Sequence, residues 1–187
     1  MSTTSSLANQ LLVAVPSLDD PTFSQSVALV CQHDASGAMA LVVNRPSDML
    51  MGELLQQIEV STENETLRMH HVLQGGPVHI ERGFVLHAGD AQWESSVALG
   101  NGLSLTTSRD ILESIANGTG PEHSLIALGY ASWAPGQLEQ ELVDNSWIVV
   151  DADQQLLFEV PIEERWRTAT GRLGFDPMQM AGYSGRA

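Results

Sequence analysis

Apolar positions fall along the chain in two rhythms. Runs at Gln10 to Val15, Ser26 to Gln32 and Ala38 to Asn44, each stopped by proline, aspartate or glycine, predict three early strands. Met51, Leu54, Leu55 and Ile58 then take the spacing of a helix that hides one face, with Ser47 or Asp48 placed to cap it. Further strands are predicted at His71 to Gln74, Gly83 to His87, Ser95 to Leu99 and, past the Gly100-Asn-Gly102 turn, Leu103 to Thr106. Thr107-Ser-Arg-Asp110 matches a capping box for a short helix through Ile111, Leu112 and Ile115, which Gly118 can close.

Ser124 to Tyr130 predicts another strand, and Leu138 and Leu142 mark a helix starting near Pro135. Trp147 to Val150 and Leu156 to Phe158 suggest a last hairpin. Ile162, Trp166, Ala169 and Leu173 lie on one face of a final helix beginning after Pro161. Strands outnumber helices and do not alternate with them, which argues for an α+β fold rather than a doubly wound parallel sheet. No internal repeat or linker interrupts the pattern. One domain is expected across residues 1–187, its ordered core at about 7–176, between a polar N-terminal tail and the glycine-rich end Gly182 to Ala187.

Charge narrows the chemistry. The 187 residues carry 23 acidic side chains against eight basic ones, a formal net charge of -15, and every basic residue is arginine. Without lysine there is no Schiff base, no pyridoxal anchor and no phosphate-loop lysine. Excess negative charge opposes a phosphate backbone, so direct nucleic-acid binding is not expected. The longest apolar run, Ala38 to Val43, is far short of the roughly 20 residues a membrane span takes. The N-terminus lacks the basic start of a signal peptide. These features together fit a cytoplasmic protein, expected to be a monomer, with no membrane partner.

Cys31 is the single cysteine, so neither an intramolecular disulfide nor a multi-thiolate metal site can form; alternating with Leu29 and Val27, it reads as a buried inert thiol. The six histidines form no metal-binding spacing: His70 and His71 are adjacent and would face opposite sides of a strand. No nucleophile elbow or dinucleotide fingerprint is present. No metal, cofactor or catalytic residue is therefore expected.

Three segments concentrate residues able to hold a ligand. In the first, a strand ends in Asn44 and Arg45 before Pro46; both side chains can donate to an anion or carbonyl, or, as the favoured alternative, Asn44 satisfies the turn backbone while Arg45 pairs with one of the acidic residues. In the second, Gly75-Gly76-Pro77 lets backbone approach something closely, either an anion or a crossing strand, and Arg82 and His87 follow. In the third, Tyr130 and Trp133 precede a helix whose first turn contains Gln137, where a ligand can rest or Trp133 can plug the core.

These segments, with Leu11 to Pro16, Asp20-Pro-Thr-Phe23, Gly37-Ala38, Gly129-Tyr130-Ala131 and Gly136-Gln-Leu-Glu-Gln-Glu141-Leu142, resemble the YqgE/AlgH family of bacterial proteins from about Leu11 to Gly174. Asn145, Trp147, Phe158 and Trp166 extend the resemblance. It implies mixed, bifurcated β-sheets forming a pseudo-barrel flanked by short helices, no established reaction, and a role as a transcriptional regulator acting indirectly. A non-enzymatic protein that binds an unknown protein or small-molecule ligand is the reading favoured. The alternative is an enzyme of unknown class with Asn44, Arg45, Arg82 and His87 converging in one cleft. Ala40 and Ser132 stand where the family has glycine, adding side chains beside the expected cleft.

Overall fold

A computed structural model describes residues 5–174. Residues 175 and 176 of the expected core, and the Gly182 to Ala187 end, lie outside them. The first three strands, β1 (Gln10–Ala14), β2 (Val27–Asp34) and β3 (Gly37–Val42), form an antiparallel meander. Their residues are apolar on both faces because both faces are covered. Leu12, Ala14, Ala28 and Val30 pack with Trp133, Leu138 and Trp147, whereas Leu11, Val13, Val27 and Leu29 pack with Leu156, Leu157 and Ala169.

The remaining strands are β4 (Pro46–Leu50), β5 (His71–Gln74), β6 (Val78–Ala88), β7 (Ser96–Gly100), β8 (Leu103–Thr106), β9 (Ser124–Trp133) and β10 (Trp147–Asp151). Helices α1 (Met51–Gln57), α2 (Glu65–Arg68), α3 (Arg109–Ala116), α4 (Gln137–Val143) and α5 (Arg165–Gly171) flank them. The ten strands run in the order β10-β1-β2-β3-β9-β6-β8-β7, with β5 also beside β9 and β4 beyond β5. The sheet curls into a half-barrel bordered by short helices, the α+β pseudo-barrel. A third apolar cluster, with Met51, Leu55, Val85 and Ile111, seats α1 and α3 on the sheet.

The fork in the sheet lies on β9. One edge of β9 pairs with β6; the other pairs first with β5 in parallel, at Ala127 and Leu128, then with β3 in antiparallel fashion, at Ala131 to Trp133. The switch falls at Gly129, whose φ is 78°. Gly75 and Gly76 cross the same point. Gly75 N–H donates to Leu128 O at 2.8 Å, and Gly75 O accepts from Val42 N–H at 2.9 Å. A Cβ on Gly75 would sit 2.3 Å from Gly129 O, and one on Gly76 2.1 Å from the Tyr130 carbonyl carbon. Of the two readings of the glycine pair, the crossing of strands is the one realised.

Several elements differ from their sequence-based expectation. Ser47 and Asp48 do not cap α1: they lie on β4, and Leu50 is the cap, its N–H donating to the Glu53 carboxylate at 3.1 Å. A strand reading Pro-Ser-Asp-Met-Leu has no strong alternation to betray it. Leu156 to Phe158 are not a strand. They belong to a π-helical turn, Gln155–Glu159, opened by Asp153, whose carboxylate accepts from Gln155 N–H at 2.8 Å. β10 pairs with β1 instead, Trp147 opposite Ala14. A short, unbroken apolar run fits either state, and the aspartate decided it.

The α3 cap is Ser108 rather than Thr107. Its hydroxyl donates to Asp110 at 2.5 Å and accepts from Ser95 N–H at 3.0 Å, so no capping box forms. β6 also starts earlier than predicted, because residues 79–82 bulge outward between the pairs Val78–Tyr130 and Gly83–Leu128.

Candidate functional site

The fork leaves a groove. Where β3 and β5 part on the same edge of β9, Val42, Leu73 and Leu128 floor a cavity of about 450 Å³. Arg45, Thr22, Gly76, Pro77 and Ile80 also belong to its lining. Ile80 sits in the β6 bulge and is 67% exposed. The groove thus exists because Gly129 bends β9, the Gly75-Gly76 pair crosses it, and the bulge lifts β6 away.

Of the predicted residues, Arg45, Gly76 and Pro77 line this groove. Pro46 adjoins it as the first residue of β4, paired with Leu73. Gly75 is buried at the crossing. Asn44 points into the turn: its Oδ1 accepts from Val27 N–H and its Nδ2 donates to Gln25 O, both at 2.8 Å. Arg45 is also anchored, donating from Nη1 to Thr22 O and from Nη2 to Ser24 O at 3.0 Å. Its guanidinium is therefore held in place, yet no carboxylate among the described residues pairs with it.

The other predicted residues lie elsewhere. Arg82 is exposed on the bulge, its guanidinium 5.5 Å from the centre of the Phe84 ring. Tyr130 packs edge-on to Phe84 and stacks against His79, at ring separations of 5.8 and 5.9 Å. His87 lies five residues beyond Arg82 on β6, roughly 16 Å along a strand. It is fully buried: its Nε2 is 2.7 Å from Thr106 Oγ1, and its Nδ1 is 3.1 Å from Ala88 O. Burial pushes the imidazole below its ordinary pKa, against the opposing pull of the Ala88 carbonyl. Arg45, Arg82 and His87 thus do not share a cleft, and the converging constellation expected for an enzyme is not formed.

Trp133 plugs the core at 4% exposure, together with Trp147 and Phe23. Gln137 serves its own helix: Oε1 accepts from Ala134 N–H at 3.0 Å and Nε2 donates to Glu141 at 3.2 Å. Ala40 is buried between β2 and β9, and Ser132 is exposed opposite Met39; neither lines the groove, contrary to their expected place beside it. Cys31 occupies the bulge of β2, half-buried, and desolvation pushes its thiol up to about 12.

Residues that sequence reasoning passed over include Ser47, Met49, Leu73 and Ile80 of the groove. None of them carried a signal, since a single apolar residue such as Ile80 between polar neighbours is ordinary on a soluble surface.

The architecture defines a class of protein: a forked-sheet α+β fold with a preformed apolar groove at the fork. The AlgH-like family model matches residues 11–178, and the chain belongs to that family. A UPF0301 protein of Xanthomonas euvesicatoria pv. vesicatoria is 55% identical over 181 residues, which is 97% of this chain and 96% of the relative. A UPF0301 protein of Xanthomonas axonopodis pv. citri is likewise 55% identical over 181 residues. The solution structure of the AlgH protein from Pseudomonas aeruginosa superposes with a TM-score of 0.79 at 41% identity, covering 100% of this chain and 97% of that one. A crystal structure of a Corynebacterium diphtheriae protein shares the fold, with a TM-score of 0.73 at 23% identity over 88% of this chain and 85% of the other. Among the described residues, no helix is long and apolar enough to cross a membrane.

Proposed function

We propose that this chain is a binding protein whose working surface is the groove at the fork of the sheet, and that any regulatory role it has is exercised through what occupies that groove. One observation carries the reading. The chain devotes the Gly75, Gly76 and Gly129 crossing and a bulged β6 to holding open an apolar recess of about 450 Å³, a size typical of small-molecule sites. Buried glycine crossings and bulges cost stability, and such costs concentrate where a surface is used.

The separation of Arg82 and His87 from Arg45 supports binding over catalysis. A net charge of -15 supports an indirect rather than a DNA-contacting route to regulation. A cytoplasmic location belongs to the same proposal.

The test is a methyl-labelled NMR titration with bacterial cell extract divided by size into small-molecule and macromolecular fractions. Shifts confined to Val42, Leu73 and Leu128 are expected from one fraction. Shifts elsewhere, or none from either fraction, would overturn the reading. A gel-shift experiment on duplex DNA at physiological salt should show no retarded band; a retarded one would overturn the indirect route.

A further inference from the structure

Four cavities of the described residues each include one arginine in their lining. In three of them an acidic residue stands in the same lining: Glu81 with Arg109, Glu59 with Arg68, and Glu63 with Arg68. The groove at the fork is the exception. Its lining holds Arg45 and no aspartate or glutamate, in a chain with 23 acidic residues and eight basic ones. A half-buried guanidinium with no carboxylate partner among the described residues leaves an unneutralised charge beside an apolar floor. That combination complements one ligand chemistry, an apolar body that ends in an anion.

Arg45 is held in position to meet an anion. Bonds from Nη1 to Thr22 O and from Nη2 to Ser24 O and Ser26 Oγ fix the fork of Arg45, so little side-chain freedom remains to be lost on binding. Nε has no partner among the described residues. Three of its five N–H groups are used in this way, both of Nη2 among them; Nε–H and one Nη1–H remain, and a carboxylate oxygen can accept from one of them. Val42, Leu73, Leu128, Met49 and Ile80 supply aliphatic surface without an aromatic face on which a ring could stack. The recess of about 450 Å³ fits a small molecule rather than a helix.

Resting on the reading of the groove as the working surface, we infer that its ligand is a free aliphatic carboxylic acid. The carboxylate lies at Arg45 and the alkyl chain runs over Val42, Leu73 and Leu128 toward Ile80.

The test uses the whole protein and three probes: octanoate, octan-1-ol and a short peptide with an apolar C-terminal residue. Octanoate should shift the methyl signals of Val42, Leu73 and Leu128 and bind at least about tenfold more tightly than the alcohol, as expected for a charge-assisted contact. Arg45→Gln should abolish that preference. Because Arg45 also ties down the Thr22 to Ser26 loop, a second pair of variants tests charge alone. Ile80→Lys should tighten octanoate and Ile80→Glu should weaken it, each about threefold to tenfold, with the alcohol unaffected. Equal binding of acid and alcohol, or no response to charge at position 80, would overturn the carboxylate assignment. Binding of the peptide in place of octanoate would overturn the small-molecule class. In either case the groove reading would stand if extract still shifted the same methyls, so the two failures are separable.

Discussion

Trp133 and Trp147 donate their indole N–H groups to the same oxygen of Glu141, each at 2.8 Å. The two rings meet edge-on at 6.1 Å, and Phe23 packs against both. One carboxylate on α4 thereby joins the C-terminal end of β9 to the start of β10, and its second oxygen takes the Gln137 amide. Buried indoles normally find a hydrogen-bond partner, and here a single acceptor serves two of them.

Replacing that acceptor with a residue of similar bulk leaves both N–H groups stranded in an apolar setting. Glu141→Leu should therefore cost roughly 2–4 kcal/mol, the sum of two unsatisfied buried donors. Urea unfolding followed by tryptophan fluorescence measures it. A loss below about 0.5 kcal/mol would show that water reaches both indoles.

The Gly75-Gly76 crossing makes a second, harsher prediction. Gly76→Ala puts a Cβ 2.1 Å from the Tyr130 carbonyl carbon at a φ of 155°, so either the fork separates or the strand shifts. Backbone cannot yield as a flexible side chain can. The variant should lose at least about 3 kcal/mol or fail to accumulate as folded protein. Circular dichroism melting tests this, with Gly171→Ala as a comparison at a helical site where nothing lies within 4 Å of the added carbon.

His33 joins three segments. Its Nδ1 accepts from Leu7 N–H at 2.9 Å, which puts the ring proton on Nε2, 2.6 Å from Glu139 Oε1. The hydrogen bond from His33 holds the Glu139 carboxyl below its ordinary pKa. A carboxylate with a depressed folded pKa contributes stability that is present above its unfolded value, about 4.3, and is lost as pH falls through the folded value. Glu139→Gln should therefore lower the melting temperature at pH 7, and the gap from the wild type should close below about pH 4. A gap that stays constant with pH would assign the loss to packing alone.

The fold class and most strands could be read from the chain because their apolar periods are local and strong, as in Leu11 to Ala14. β4 and the Gln155–Glu159 turn could not be, since pairing with β5 and a single Asp153 cap outweighed weak patterns. The site was half legible. Arg45, Gly76 and Pro77 stand out as an arginine and turn formers at strand ends, but Leu73 and Leu128 look like any core residue until the fork brings them together. Arg165 shows the limit most sharply. It falls on the helix expected after Pro161, outside the apolar face given for that helix, yet it is 4% exposed, with Nη1 donating to Val43 O at 2.5 Å and Nε to Val160 O at 3.0 Å. Burial lowers its pKa to about 10. Arg165→Ala should cost roughly 3 kcal/mol, by leaving two carbonyls without their charged donor.

His87 supplies the last test. Its Nδ1–H donates to Ala88 O, so Nε2 accepts from the Thr106 hydroxyl, and that hydroxyl lies 2.6 Å from Ser96 Oγ. Protonated, Nε2 would donate to Thr106 Oγ1, whose hydroxyl can turn to Ser96 Oγ, so the cost is the charge buried edge-on against Trp93, whose ring lies 5.0 Å away. Burial is thus the chief cause of the depressed imidazole pKa. The unfolded chain binds this proton more readily than the folded one, so stability is full above the unfolded value of about 6.5 and declines as pH falls below it. His87→Gln keeps an acceptor for Thr106 and cannot take up the proton. Wild type and variant should differ most in the stability each loses between pH 7.5 and 5.5, with the wild type losing more. If urea midpoints at the two pH values fall equally in both proteins, His87 does not carry the acid sensitivity.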